Sequence, residues 1–335
     1  GVLLSGLVLV LIVGIGAGLG MAGDLTLGEL LAFIFLIQLF TMPLQYGTEM
    51  LNELQNSVSG WRRVHAVLTA PPALPDTGPA GRKILDGPIE VRLEGLSHTY
   101  PGGRPVLHDI DLSLPAGATV AIVGETGSGK STLGRLMTRL VDPTSGRVLL
   151  NGTDMRESPL EHLRARVTLV PQDGFLFEGT LLENMVWGRP GITRDRVREV
   201  LAELGLDGWA ASLPSGLDTH VGLRGQSLSA GERQLACLVR AHLAGSDLLV
   251  LDEATSSVDP VLEARLRIAL ERASQSRTVV AIAHRLSTAE AVDLVVVVHN
   301  GRIVDLGTHT ELDARCSVYQ RLRASWAVQY EHHRR

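Results

Sequence analysis

The amino-acid sequence predicts an α/β domain preceded by two transmembrane helices. Three features support this fold class. Two long uncharged stretches lie near the start of the chain, and later apolar segments are typical of strands buried on both faces. One of these segments runs into a glycine-rich loop that is followed by a helical pattern. The length of 335 residues corresponds to about two domains.

Charged residues are distributed unevenly along the chain. Four of the 36 acidic residues, Asp24, Glu29, Glu49 and Glu53, lie in residues 1–60, where lysine and arginine are absent. Residues 61–335 therefore carry all 31 basic side chains and 32 acidic ones, and the net charge of −5 belongs mostly to the apolar start. Because nucleic-acid binding by phosphate neutralisation needs a basic surface, we expect no nucleic-acid partner.

Residues 1–21 and 30–48 are predicted to span a membrane. Both stretches lack charged side chains and match the ~20 residues that cross a hydrocarbon core. The turn between them carries Asp24 and Glu29, whereas Arg62 follows the second stretch. Because basic residues stay inside, the turn is predicted to be external, and everything after about residue 50 is predicted to be cytoplasmic. A signal peptide would need a basic start and a cleavage site. Buried helices of a soluble core remain the alternative.

A linker is predicted to separate the membrane part from a globular domain. Residues 71–88 contain five prolines and three glycines without an apolar period. The predicted order is a partial transmembrane domain over 1–70, the linker over 71–88, a globular domain over 89–325 and a polar tail over 326–335.

Two kinds of strand are predicted in the globular domain. Apolar and polar residues alternate over 89–94 and 109–114, as in half-exposed strands of an antiparallel layer. Residues 119–123, 248–251 and 278–283 are instead continuously apolar, which indicates central parallel strands.

The first buried strand leads into a phosphate-binding loop. The sequence GETGSGKST matches the pattern G-x4-G-K-[ST] in its required strand–loop–helix context. Glycines allow backbone N–H groups to surround phosphates, Lys130 reaches the β- and γ-phosphates of a nucleotide, and the Ser131 hydroxyl binds Mg²⁺. The candidate residues are Gly124, Glu125, Thr126, Gly127, Ser128, Gly129, Lys130, Ser131 and Thr132.

Polar residues at the ends of the other buried strands complete a candidate ATP site. Asp252 and Glu253 follow residues 248–251. Asp252 is suited to hold the metal or its water, and Glu253 to polarise the water that attacks the γ-phosphate. His284 follows the third apolar strand, at the sheet edge where ligands bind.

Residues 228–234, LSAGERQ, are similar to the signature LSGGQ of the ATP-binding cassette (ABC) family. The resemblance covers essentially all of 89–325 and implies an α/β P-loop ATPase domain with a parallel core sheet, an antiparallel β subdomain and a helical subdomain. Four further motifs match: Tyr100 as the adenine-stacking aromatic, Gln172 as the Q-loop, residues 256–259 as the D-loop, and His284 as the switch histidine.

The resemblance implies a head-to-tail dimer with composite ATP sites. Ser229 and Gly231 of one chain would contact the γ-phosphate bound by Lys130 of the other, and Ser229 with Glu232 forms a predicted Ser-x-x-Glu capping box. The implied catalytic residues are Glu253 and His284. The further implied ATP contacts are Tyr100, Gln172, Asp252, Ser229, Gly231, Glu232 and Asp259, and the implied Mg²⁺ ligands are Ser131, Gln172 and Asp252.

Three positions depart from the family pattern. Ala230 replaces a signature glycine and Glu232 the usual glutamine, so that a carboxylate beside the phosphates would slow hydrolysis or mark an asymmetric heterodimer. Leu223 stands where exporters usually carry a glutamate, in the loop just before the signature. In the family, that loop normally senses the membrane domain. The coupling role of that loop is therefore in doubt.

The N-terminal part is similar to the last two of six membrane helices of an ABC exporter half-transporter. Because residue 1 is glycine and four spans of that pattern are missing, we expect the C-terminal part of a longer subunit. The leading hypothesis is an ATP-hydrolysing exporter subunit in the plasma membrane, multi-pass with a cytoplasmic ATPase, paired with a second half-transporter as a homodimer or heterodimer. A soluble cassette ATPase and an importer ATPase subunit are the alternatives. The transported substrate stays open.

Overall fold

The computed structural model describes residues 2–23, 25–72, 74–252, 260–275, 277–283 and 286–333. The chain divides into two compact units, Gly1–Pro72 and Ala73–Arg335.

The described part of the first unit contains two helices, α1 (Val2–Ala22) and α2 (Leu27–Leu68). Thr26 and Glu29 form a capping box that begins α2, in which each side chain accepts a hydrogen bond from the other residue's backbone N–H. Among the described residues, α2 alone is long and apolar enough, by length and composition, to cross a membrane; the apolar helix Gly6–Ala22 is shorter. The second predicted span lies within α2. The crossing by α1 stays a prediction.

In the second unit, the described residues form two β-sheets. Its strands are β1 (Val91–Thr99), β2 (Pro105–Leu114), β3 (Thr119–Val123), β4 (Ser145–Leu150), β5 (Thr153–Asp154), β6 (Val167–Val170), β7 (Leu248–Asp252), β8 (Thr278–Ile282), β9 (Leu294–His299) and β10 (Arg302–Gly307). One sheet is antiparallel with the order β2-β1-β4-β5, and the other has the order β10-β9-β3-β8-β7-β6. Strands β9 to β6 of the second sheet are parallel, and β10 is an antiparallel edge.

Residue patterning explains the difference between the sheets. In β1, Val91 and Leu93 are buried while Arg92 between them is exposed, as expected for a strand with one face on the core. In β3, Val120–Val123 are all buried because the strand lies in the middle of its sheet. Both predicted strand types are thus confirmed.

A helical region covers one side of the parallel sheet. The helices of the second unit are α3 (Lys130–Met137), α4 (Leu160–Arg166), α5 (Leu181–Met185), α6 (Arg194–Leu204), α7 (Asp207–Ser212), α8 (Ala230–Leu243), α9 (Pro260–Ala273), α10 (Leu286–Glu290), α11 (His309–Arg315) and α12 (Ser317–His333). Apolar residues of α6 and α8, such as Val197, Leu201 and Leu235, share one buried cluster with Leu249 of β7. This packing holds the start of α8 in place.

Part of the predicted linker is attached to the second unit by Arg166, at the end of α4. The Arg166 side chain is 9% exposed, and its guanidinium donates hydrogen bonds to the carbonyls of Ile84, Leu85 and Gly87 at 3.2, 2.7 and 3.1 Å. The side chain of Ile84 is itself buried. The segment therefore packs on the domain that follows it.

Candidate nucleotide-binding site

The glycine-rich loop joins β3 to α3 in a conformation that needs glycine. Gly127 and Gly129 have φ angles of 81° and 105°, which other residues rarely adopt. A Cβ atom on Gly124 would collide with the carbonyl of Val298, and one on Gly129 would lie 2.6 Å from a side-chain carbon of Leu107. A loop that ends in this way at a helix N-terminus is suited to surround a phosphate.

The loop has an exposed part and a buried part. Glu125, Thr126 and Gly127 are exposed, whereas Ser128 and Lys130 are buried. Within the described residues, the Ser128 hydroxyl is buried without a hydrogen-bond partner. Since buried polar groups are normally paired, this hydroxyl fits an oxygen of a bound phosphate.

Lys130 is held over the loop by two carbonyl groups. Its Nζ donates to the carbonyl oxygens of Gly124 and Glu125 at 2.8 and 2.9 Å. Burial lowers the pKa of Lys130 below its usual value, and the carboxylate of Asp252 opposes that shift. A bound polyphosphate would supply the negative charge that favours the protonated ammonium group.

A hydroxyl and a carboxylate meet beside Lys130. Ser131 Oγ lies 3.4 Å from Oδ1 of Asp252, at the end of β7. Oxygen ligands of this kind, completed by water and phosphate oxygens, are what Mg²⁺ binds in ATPase sites. The two residues therefore fit the predicted metal site, although the described residues contain no cluster of three His, Cys, Asp or Glu side chains that could hold a metal.

Gln172 lies beyond the end of β6, the neighbour of β7. Its side chain is exposed. Its backbone carbonyl oxygen accepts a hydrogen bond of 3.4 Å from Nε2 of Gln234 in α8. The Q-loop is thus connected to the signature helix. The predicted Mg²⁺ contact of Gln172 stays a prediction.

Tyr100 borders a cavity of about 520 Å³ that also reaches Gly127 of the loop. The tyrosine ring packs edge-on against His98 with centroids 4.7 Å apart, and its hydroxyl lies 3.3 Å from Thr132 Oγ1. A ring in this position fits the predicted stacking on a nucleobase. Sequence reasoning missed the other seven residues that line the cavity, which are Gly103, Arg104, Pro105, Val106, His108, Asn300 and Gly301.

Two of these residues, Asn300 and Gly301, form a dipeptide that the sequence alone marks as a turn. An Asn-Gly dipeptide between apolar strands is the strongest short-range mark of a hairpin turn, and here it joins β9 to β10 with φ angles of 48° and 72°. Sequence patterning locates the turn but not its neighbour in space.

The signature motif begins α8 with the predicted capping box. Ser229 N–H donates to the Glu232 carboxylate at 2.8 Å, and Glu232 N–H donates to Ser229 Oγ at 3.3 Å. The other carboxylate oxygen of Glu232 accepts a 3.4 Å hydrogen bond from Trp209 Nε1. Gly231 is buried, whereas Ser229 and Ala230 are exposed. The carboxylate of Glu232, which departs from the family pattern, therefore accepts hydrogen bonds from groups of its own chain.

Several predicted site residues lie outside the described residues. They are the catalytic candidates Glu253 and His284 and the D-loop residues 256–259, including Asp259. Each follows or flanks a described element, because β7 ends at Asp252 and α10 begins at Leu286.

The fold and loop define a P-loop ATPase, and the comparisons with known proteins name its family. Residues 107–256 match the family described as ABC transporter. The matched domain therefore belongs to the ABC transporter family, and this domain binds ATP.

Relatives match almost the whole chain. A fatty acid ABC transporter ATP-binding/permease protein of Mycobacterium bovis is 42% identical over 311 residues, which are 92% of this chain and 49% of the relative. An ATP-dependent lipid A-core flippase of Pseudomonas fluorescens is 40% identical over 304 residues, 90% of this chain and 50% of the relative. The chain spans about half the length of the curated relatives it matches.

A solved structure has the same fold. The ATP-bound structure of a bacterial Atm1-family ABC exporter matches with a TM-score of 0.75 and 32% identity, and the match covers 91% of this chain and 53% of that one.

Proposed function

We propose that the chain is the ATP-binding and ATP-hydrolysing part of a membrane exporter. The single observation that carries this proposal is the buried Lys130 over the glycine-rich loop, beside the pair Ser131 and Asp252. The matched relatives are named permeases, flippases and exporters, which favours export over a soluble ATPase or an importer subunit.

The proposed division of roles follows from the positions of the side chains. Lys130 binds the β- and γ-phosphates. The buried Ser128 hydroxyl and the backbone N–H groups of the loop bind phosphate oxygens. Ser131 and Asp252, with Gln172, hold Mg²⁺, which when bound neutralises charge on the phosphates. Glu253 orients and polarises the attacking water, as its place after Asp252 supports.

We infer that the functional unit contains two such domains. The exposed Ser229 and the buried Gly231 lie at the N-terminus of α8, where backbone N–H groups and the helix dipole favour an anion. Head-to-tail pairing with a second half-transporter, identical or homologous, would place this terminus on the γ-phosphate of the partner's ATP.

The proposed location is the plasma membrane, with several membrane-spanning helices and the ATPase domain in the cytoplasm. Apolar α2 and the names of the relatives support membrane attachment. Two relatives named for their cargo act on a fatty acid and on lipid A-core, so a substrate with acyl chains is favoured.

A pair of variants tests the proposed ATPase function. Glu253→Gln should retain ATP binding and lose hydrolysis, whereas Lys130→Ala should weaken ATP binding itself. Lys83→Ala is the matched control, because Lys83 is the other lysine of the chain and is exposed. ATP binding and phosphate release are measured on the 335-residue chain in detergent micelles. Undiminished turnover in Glu253→Gln would refute the assignment of the base.

A further inference from the structure

The turn between β9 and β10 is attached to the glycine-rich loop at both of its ends. At one end, the carbonyl oxygen of Val298 lies so close to Gly124 that a Cβ atom on this residue would not fit. At the other end, Gly301 N–H donates to the carbonyl of Ser128 at 3.0 Å. His299 lies between these contacts and is therefore held beside the loop.

Glu125 is an unusual group for a phosphate site, because a carboxylate there repels the nucleotide. Its own carbonyl oxygen binds Lys130, which places the residue at the start of the phosphate cradle. The Glu125 side chain is 57% exposed, so water reduces this repulsion without removing it.

The imidazole of His299 points at this carboxylate. Nδ1 of His299 lies 4.0 Å from Oε2 of Glu125, and within the described part of the chain this nitrogen is buried and has no hydrogen-bond partner. Nε2 lies 3.2 Å from Nδ2 of Asn300, which donates to the neutral ring; protonation of the ring requires the Asn300 amide to turn so that its oxygen accepts from Nε2. A small rotation of the Glu125 side chain would bring the two groups into hydrogen-bond contact.

We propose that His299 sets the affinity of the site for ATP by pairing with Glu125. The imidazolium form offsets the repulsion between the Glu125 carboxylate and the phosphates, and the neutral form does not. The role rests on the proposed ATP-binding function of the same site and adds to it a dependence on the charge of one histidine.

The other charged groups near His299 are few in the described residues. Arg302 is its cross-strand partner on β10, and on β3 the nearest residues of the register are apolar. The imidazole of His108, on β2, lies against Gly301. The test therefore uses variants of His299 itself and does not rely on a pH profile alone.

A double-mutant cycle tests the pair. The Kd for Mg²⁺ and adenylyl imidodiphosphate is measured by calorimetry on the 335-residue chain, for the unmodified chain, His299→Gln, Glu125→Gln and the double variant. At about pH 6, where imidazole groups are largely protonated, His299→Gln should raise the Kd about five-fold, the upper range for a partly exposed pair. In the Glu125→Gln background the same change should be below about two-fold.

Two further readouts separate this role from damage to the fold. At about pH 8.5 the effect of His299→Gln should vanish, and kcat at saturating ATP should be unchanged at both pH values. His220→Gln, an exposed histidine of the helical region, is the control. Equal effects of His299→Gln in both backgrounds, or none in either, would overturn the pairing. An unmodified chain that does not bind the nucleotide at all would overturn the proposed function and this role with it.

Discussion

Arg166 offers a quantitative test of how residues 74–88 are attached. Met in place of Arg166 keeps most of the side-chain volume and removes the guanidinium, whose hydrogen bonds to three carbonyls are described above. Each such bond contributes about 1 kcal/mol net, so the three together stabilise the attachment by about 3 kcal/mol. The ion pairs to Asp86 and Asp247 add less, because Asp86 is fully exposed and Asp247 is a quarter exposed.

Trypsin provides the assay, because Arg82 and Lys83 are exposed cleavage sites within the attached segment. Their backbone is held by Arg82 N–H to the Glu157 carbonyl at 2.8 Å and by Ile84 N–H to His162 at 3.1 Å. Cleavage therefore requires local detachment, and its rate follows the detached population when reattachment is fast. A loss of about 3 kcal/mol raises that population about 100-fold.

The control for this experiment is Arg92→Met. Arg92 is half exposed and pairs with Glu90, which directly precedes β1, and its replacement also removes one tryptic site. We expect its cleavage rate at Arg82 and Lys83 to stay within about two-fold of the unmodified chain. Equal rates for the two variants, or cleavage of Arg166→Met spread evenly over the whole domain, would refute the attachment argument.

Three other predictions concern the nucleotide site. Tyr100→Ala should raise the KM for ATP about ten-fold, since one aromatic stack contributes about 1–3 kcal/mol, while Tyr100→Phe should stay near the original value; an unchanged KM in Tyr100→Ala removes the ring from the site. Ser229→Ala should lower the free energy of unfolding by about 1 kcal/mol through loss of the cap of α8, with Ser227→Ala as the neutral comparison in chemical denaturation. Chelation of Mg²⁺ by EDTA should stop phosphate release and leave nucleotide binding measurable, and hydrolysis that persists in EDTA would contradict the roles of Ser131 and Asp252.

Local motifs were predictable because they depend on neighbours in the chain. The strand–loop–helix around Lys130 follows from glycine positions and a flanking apolar run, and the box of Ser229 and Glu232 spans one helical turn. The contact between Ser131 and Asp252 was also foreseeable, because the ends of parallel strands meet at one sheet edge.

Contacts between distant segments were not predictable in the same way. The attachment of residues 84–87 to Arg166 joins positions about eighty apart, and the proline-rich composition predicted only a connector between domains. Likewise, the place of Gln172 next to Gln234 of the signature helix depends on how α8 packs over β6.

The sequence by itself predicted the local chemistry of this protein: a phosphate loop, a proposed metal-binding pair, a helix with its capping box, and an apolar stretch within α2 that is long enough to cross a membrane. Only the tertiary structure decided which other residues join them. The order β10-β9-β3-β8-β7-β6 places β9 beside β3, and this neighbour relation brings His299 and Gly301 onto the loop that holds Lys130. Periodicity records whether a strand is buried, but strand order depends on packing across the whole sheet, which no single segment encodes.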